Sequence, residues 1–276
     1  MNIKHHITIH LTPETRKLLT ETGVKAVKTP LSTAPGPFDY LVSLDVQEKD
    51  PRWKEFSSIK NALDIRIIEY SKSDLLKARW LTMRSWLPTV DLAREDESFT
   101  ITEPISEGLA RHRVKSGHLY LKRQPNWGKR HFLSTYSLGE YALLCNDKAK
   151  QFFKEHGMQV TCEPVFNALS DEPIDNTFFL SPDHVLPLGA IHQNASETKI
   201  QCPVCGKIQY DFGSDHELHI SSVSLDDARM ICRTPEMFGG GNIAFSITVI
   251  SQNTYRELLN ERLQRFLVFE PVYLDE

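Results

Sequence analysis

Two stretches of the chain, 143–165 and 249–272, follow one pattern of strand, helix and strand. The first is LLCNDKAKQFFKEHGMQVTCEPV and the second is VISQNTYRELLNERLQRFLVFEPV. Each has a short apolar strand, a polar residue suited to cap a helix (Asn146 or Asp147, then Ser251), and a second strand that ends in Glu-Pro-Val. Proline cannot donate to a strand ladder, so it ends the pairing. The pattern predicts a duplicated β-α-β architecture or a recurrent packing element, with chance resemblance as the remaining alternative.

The rest of the chain predicts an α+β fold with mixed and antiparallel sheets. HHITIHL alternates with the period of a strand, Thr12 and Pro13 are suited to begin a helix, Gly23 to end it, and VKAV resumes as a strand. We expect an N-terminal α+β region over 1–115 and a C-terminal region over 116–276 that holds the two similar stretches, or one continuous domain.

The composition is that of an ordinary folded chain that is soluble in water. Of its 276 residues, 40% are hydrophobic and 25% are charged, which is typical of globular proteins. The formal net charge of −4 disfavours a nucleic-acid-binding function, because such proteins usually carry a basic surplus. The first residues lack a signal-peptide core, and no apolar run has the roughly eighteen residues of a membrane helix. These features predict a cytoplasmic protein that does not bind a membrane.

QCPVCGK, at 201–207, is typical of one half of a zinc ribbon, in which a C-x2-C turn supplies two of four ligands. The glycine after the second cysteine allows the positive φ that such a turn needs, and KIQYDFG is suited to be the returning strand of a small zinc-ribbon-like knuckle hairpin. The first candidate ligand set is Cys202, Cys205, His216 and His219. A set that includes Cys232 and a knuckle without metal remain alternatives.

No familiar catalytic motif is present in the sequence: it lacks G-x-S-x-G, H-E-x-x-H, a Walker loop and G-x-G-x-x-G. The segment SGHLYLKRQPNWGKRHF, at 116–132, mixes basic and aromatic residues, a combination that binds nucleic acid in some proteins and forms a solvated hairpin in more of them. We therefore expect a binding protein rather than an enzyme.

Several segments together resemble a bacterial family of immunity-type proteins with C-x-x-C-G motifs, best known from myxobacterial contact-dependent toxin systems. The resemblance covers roughly 75–275 and is carried, in order, by WLPTVDL, TCEPV, QCPVCGK, ARMICRTPEMFGGGNIAFSITVISQNTYRELL and FLVFEPVYL. The final strand-helix-strand is also similar to the C-terminal unit of polymorphic-toxin immunity proteins. The family typically has two C-x-x-C-G motifs, whereas this chain has only the second.

The resemblance implies that the protein binds a cognate bacterial toxin and blocks it without catalysis. One alternative is a zinc-ribbon module with a nucleic-acid-binding or regulatory function. The other is an enzyme with an unrecognised site that uses Cys232 or His216. Interface hot spots are usually aromatic or arginine side chains. The candidate contact residues are Trp80, Trp86, Trp127 and Tyr210, for most of which a place in the core is the alternative.

Overall fold

The structure, a computed structural model, describes residues 2–31, 40–59, 62–85, 88–102, 112–137, 140–191, 199–202, 206, 208–210, 217–226, 230–238 and 245–275. The described chain is α+β, as predicted, with short helices and with sheets that are antiparallel or mixed. It forms two compact units, the first up to residue 74 and the second from residue 75 onward. The expected boundary after residue 115 falls inside the second unit, because strands on both sides of it pair with one another.

The strands, in chain order, are β1 (Asn2–His10), β2 (Ala26–Pro30), β3 (Tyr40–Gln47), β4 (Leu63–Glu69), β5 (Trp80–Ser85), β6 (Pro88–Ala93), β7 (Phe99–Thr102), β8 (His112–Lys115), β9 (Leu119–Leu121), β10 (Phe132–Ser137), β11 (Glu140–Cys145), β12 (Val160–Asn167), β13 (Pro173–Pro182), β14 (Lys199–Gln201), β15 (Ile208–Tyr210), β16 (Leu218–Ser221), β17 (Ile231–Arg233), β18 (Met237–Phe238), β19 (Thr248–Ser251) and β20 (Leu267–Asp275). The helices are α1 (Pro13–Thr22), α2 (Trp53–Ser57), α3 (Lys72–Lys77), α4 (Glu95–Ser98), α5 (Asp147–Glu155), α6 (Ser222–Asp226) and α7 (Gln252–Asn260).

The first unit is a four-stranded antiparallel sheet in the order β2-β3-β1-β4. With α1 and α2 in sequence it has the β-α-β-β-α-β arrangement of ferredoxin-like folds. Alternate residues of β1 and β3 face one side, where they pack with side chains of both helices in a core of Ile7, Ile9, Leu11, Val42, Leu44, Val46 and Phe56.

The capping residues predicted for α1 occupy their expected places. The Thr12 hydroxyl accepts a hydrogen bond from the amide of Thr15 at 3.2 Å, Pro13 is the first helical residue, and the amide of Gly23 closes the last turn on Leu19 O at 3.1 Å. These contacts satisfy backbone groups that a helix end leaves without partners.

The second unit contains a closed barrel of six strands, in the order β10-β11-β13-β12-β9-β6. Its strands alternate inward and outward residues, so every second side chain enters the interior. The buried interior consists of Val90, Leu92, Phe99, Leu119, Leu121, Leu133, Leu144, Val165 and Ile174.

A five-stranded sheet, β16-β20-β5-β19-β17, forms the other main layer of this unit. Leu81 and Met83 of β5 face a core shared with α5, α7 and the outer side of the barrel. Trp80 faces the opposite core, which also holds Ile208 and Tyr210 of β15. One strand therefore links two cores through the alternation of its side chains.

The two similar stretches of sequence form β11-α5-β12 and β19-α7-β20. In the first, both strands pair antiparallel with β13, which lies between them; in the second, both pair in the same way with β5. The predicted strand end at Glu-Pro-Val is wrong, because β12 continues to Asn167 in pairing with β9, and β20 continues to Asp275 in pairing with β16. Both predicted caps are present, with Asn146 accepting from the amide of Ala149 at 3.1 Å and Ser251 from that of Thr254 at 3.2 Å.

Across the described ranges, we find no helix with the length and apolar character needed to cross a membrane.

Candidate functional site

The predicted knuckle is described in part. Cys202 directly follows β14 and is 4% exposed, and the amide of Gly206 donates to its carbonyl oxygen at 2.9 Å. Gly206 has φ of 70°, the left-handed conformation expected after the second cysteine. β14 and β15 pair antiparallel on either side of this turn. The other two proposed ligands, Cys205 and His216, lie outside the described residues.

His219, the fourth predicted ligand, lies on β16 and contacts the C-terminal strand. Its Nδ1 is 3.0 Å from Asp275 Oδ1, and its ring stacks on Tyr273 with centroids 5.2 Å apart. The alternative ligand Cys232 is fully buried, and burial raises the pKa of its thiol to about 12. In the parts of the chain that the structure describes, no three His, Cys, Asp or Glu side chains form a group able to hold a metal.

Hydrophobic packing holds the knuckle hairpin to the second unit. Ile208 and Tyr210 are 8% and 5% exposed and lie in one core with Phe238, whose ring is 5.6 Å from that of Tyr210. For Tyr210 and for Trp80, which is 7% exposed, the core interpretation is therefore correct. Trp127 is half-buried against the barrel interior, and Trp86 lies outside the described residues.

A surface around Phe266 has the composition of a binding hot spot. Phe266, in the turn between α7 and β20, is 45% exposed although it is a large apolar side chain. The guanidinium carbons of Arg130 and Arg265 lie over its ring, 5.5 and 5.4 Å from the centroid. We define the Phe266 surface as these three residues.

The backbone of Phe266 is strained. Its φ of 68° lies in the left-handed region, where a bulky side chain other than glycine is rare. Such strain costs on the order of 1–3 kcal/mol and is concentrated at functional sites in many proteins. The conformation places an aromatic ring at the surface.

Asn146 connects the loop that carries Arg130 with the start of α5. Besides capping α5, its amide nitrogen Nδ2 lies 3.4 Å from Arg130 O and 3.2 Å from His131 Nδ1, and its backbone amide donates to His131 O at 3.2 Å. The loop that carries Arg130 is thereby fixed against the start of α5.

A positive charge acts on His131, the neighbour of Arg130. Burial, and next the positive charge of Lys148, lower the pKa of His131, and the hydrogen bond to Asn146 offsets part of that change. Within the described ranges, neither Arg130 nor Arg265 forms an ion pair with a carboxylate, whereas Arg84 pairs with Glu270 at 2.6 Å. Carboxylates of the described residues therefore do not occupy the hydrogen-bond donors of these two guanidinium groups.

Sequence reasoning identified Arg130 within the basic and aromatic segment 116–132 but did not identify Arg265 and Phe266. A difference in length between the two similar stretches could have pointed to Arg265 and Phe266. The segment from Ser251 to Glu270 is longer than the corresponding segment from Asn146 to Glu163. The additional length falls in the turn that carries Phe266.

A histidine and a carboxylate in the first unit resemble a catalytic pair but are closed to a substrate. His5 Nδ1 lies 3.0 Å from Asp64 Oδ2, and its ring stacks on Trp53 at 3.5 Å. The other nitrogen, Nε2, is buried, with Glu48 Oε1 at 3.9 Å. A general base must reach the proton that it takes, so this arrangement is suited to structure rather than to catalysis.

The thiols of Cys145 and Cys162 lie close together in the core of the second unit. Cys145 Sγ and Cys162 Sγ are 3.9 Å apart, with Cys145 fully buried and Cys162 half-buried. The hydrogen bond between them raises the pKa of Cys145 and lowers that of Cys162. Cys162 is therefore the more nucleophilic of the two.

No family model, curated protein or solved structure matches this chain. The candidate site combines an exposed aromatic ring with two arginines that lack carboxylate partners among the described residues.

Proposed function

We propose that the protein is a cytoplasmic immunity protein that binds a cognate bacterial toxin and blocks it without catalysis. The observation that carries this proposal is the exposed ring of Phe266, which a strained backbone holds at the surface with Arg130 and Arg265 over it. Aromatic and arginine side chains dominate the energetics of protein interfaces, so their combination at one exposed position fits a binding function.

A protein that blocks a toxin needs a rigid surface of complementary shape and charge, and it needs no nucleophile or general base. The Phe266 surface rests on the capped start of α5 and on the turn before β20. By contrast, the His5–Asp64 pair of the first unit has its second ring nitrogen enclosed.

The test is co-expression with the product of the neighbouring gene, if that product carries a toxin domain. We expect growth to be rescued and a stable 1:1 complex to be isolated. Phe266→Ala should weaken binding by about 2 kcal/mol or more, as at other hot spots. Leu169→Ala, a matched change at a position 89% exposed, should alter it by less than about 0.5 kcal/mol. A toxin that remains active beside excess protein would contradict the proposal.

A nucleic-acid-binding or regulatory function is the second candidate, because Lys129 and Arg130 come from the basic and aromatic segment. Binding would then weaken steeply with salt and would require a nucleic-acid probe. The negative net charge of the chain favours the protein partner.

Two finer features belong to the same proposal. One is that β11-α5-β12 and β19-α7-β20 are copies of one β-α-β unit, supported by their caps and by the strand inserted in each.

The other is a zinc ion bound by Cys202, Cys205, His216 and His219. The contact of His219 with Asp275 fits this set, since zinc-bound histidines usually contact a carboxylate through the second nitrogen. Elemental analysis that finds less than about 0.2 zinc per chain would contradict the ion.

A further inference from the structure

Two other arginines of the second unit, Arg84 and Arg94, have carboxylate partners. Arg84 and Arg94 pair with Glu270 and Asp171, at 2.6 and 2.9 Å. In the described part of the chain, Arg130 and Arg265 contact an aromatic ring and have no carboxylate partner. A guanidinium group in this state presents a planar fork of donors that matches the two oxygens of a carboxylate.

The contacts also favour one class of partner over another. A nucleic acid would bind an exposed phenylalanine by stacking a base on the face of its ring. At Phe266, guanidinium groups already lie over the ring, so a base would have to displace them. A carboxylate binds at the edge of a guanidinium group and leaves that packing intact.

Charge outside this surface favours the same partner. The chain has a formal net charge of −4, yet two arginines lie at the Phe266 ring, Lys129 precedes Arg130 in the sequence, and the positive charge of Lys148 acts on the neighbouring His131. Asp147 is an exposed acid beside them, and its backbone amide contacts Asn176. A local positive surface on an otherwise acidic protein attracts an acidic partner and orients it, because the remaining surface repels it.

We infer that the Phe266 surface binds a segment rich in carboxylates on the partner protein, with Arg130 and Arg265 pairing to its Asp or Glu side chains around the Phe266 ring. This inference rests on the proposed function and names the chemistry of the partner. For the toxin, it implies an acidic element at the point that the protein covers.

The test uses the full chain with a labelled oligoglutamate peptide and a labelled oligothymidylate of equal formal charge. We expect the peptide to bind with an affinity that falls as salt is added. Replacing Arg130→Glu and Arg265→Glu together should weaken peptide binding by at least about tenfold. Arg256→Glu, the matched change at an exposed arginine of α7, should alter it by less than about twofold. Arg265→Lys should give an intermediate loss, because it keeps the charge and loses the fork.

Three results would overturn the inference: no binding of the peptide, an equal loss with Arg256→Glu, or tighter binding of oligothymidylate at the same arginines. The last would assign the surface to nucleic acid. Circular dichroism of each variant checks that the fold is retained. If the double variant loses the peptide but still neutralises the toxin, the proposed function stands and this inference fails. If the peptide binds as expected and no toxin is neutralised, the proposed function fails and the surface assignment stands.

Discussion

Gly157 and Arg262 adopt the same left-handed backbone conformation, each just beyond the end of its helix. Their φ angles are 63° and 57°, and the amide of the next residue returns in each case to the helix, Met158 to Phe153 O and Leu263 to Leu258 O. This is the hydrogen-bond pattern of a helix that ends in a left-handed residue. The first stretch has glycine at this position, which the left-handed conformation favours, whereas the second stretch has arginine.

Substitutions at these two positions should change stability in opposite directions. Gly157→Ala should lower the free energy of unfolding by about 1 kcal/mol, because no atom lies within 4 Å of the added Cβ and only backbone strain remains. Arg262→Gly should raise it by up to about 1 kcal/mol, since Arg262 is exposed and loses little packing. Urea unfolding measures both changes. Arg262→Ala is the control, and a gain equal to that of glycine would contradict the explanation by strain.

The two helix caps should differ in their contribution to stability. Ser251→Ala removes the cap hydrogen bond and the contact of the Ser251 hydroxyl with that of Thr254, both within one helical turn, and should cost about 1 kcal/mol. Asn146→Ala also removes the contacts of its side chain with Arg130 and His131, so we expect a loss of about 2 kcal/mol. Thermal and chemical unfolding of both variants should rank them in this order. Equal losses would show that the Asn146 contacts to the loop contribute nothing.

The cysteines of the second unit should react at very different rates. Cys162 is half-buried with a lowered pKa, whereas Cys145 and Cys232 are buried with raised pKa values. Iodoacetamide should therefore modify Cys162 before the other two, as mass spectrometry of the native protein would show. Cys162→Ser should abolish that early product, and Cys232→Ser should leave it unchanged. Early modification of Cys232 would contradict its burial.

Cys145 and Cys162 should not form a disulfide with each other, although their sulfur atoms are 3.9 Å apart. β13 pairs with both of their strands and lies between them, so the two backbones are separated by two strand spacings, roughly 9–10 Å. A disulfide joins Cα atoms at most about 7 Å apart. Diamide treatment followed by peptide mapping should find both thiols unlinked, and a Cys145–Cys162 peptide would disprove the argument.

Asp45 should make the first unit sensitive to acid. Its hydrogen bond with His6, 2.8 Å long, lowers the pKa of the carboxyl below the ordinary value of 3.8, and Lys4 adds to the effect. The stabilisation is therefore complete above pH 3.8 and is lost as the pH falls through the lowered pKa. Unfolding of the parent protein and of Asp45→Asn should differ near neutral pH and converge in strong acid. A difference that grows on acidification would contradict this sign.

Local patterns predicted local structure well. Thr12, Pro13 and Gly23 bound α1, and Asn146 and Ser251 cap their helices, because capping depends on residues within a few positions of one another. Local patterns did not predict the boundary between the two compact units. The first unit ends near residue 74 because β5 pairs with β19 and β20, which lie close to the other end of the sequence.

The sequence by itself determined which residues cap the helices, which positions alternate in strands, and where the β14–β15 hairpin turns, since each depends on neighbours along the chain. Only the tertiary structure decided that the side chain of Arg130 contacts that of Phe266 and that the thiol of Cys145 lies beside that of Cys162. Arg130 and Phe266 come from segments that are far apart in the sequence, and no local pattern specifies their distance in space. That distance follows from the packing of α5, α7 and the barrel around one core, which is a property of the whole second unit.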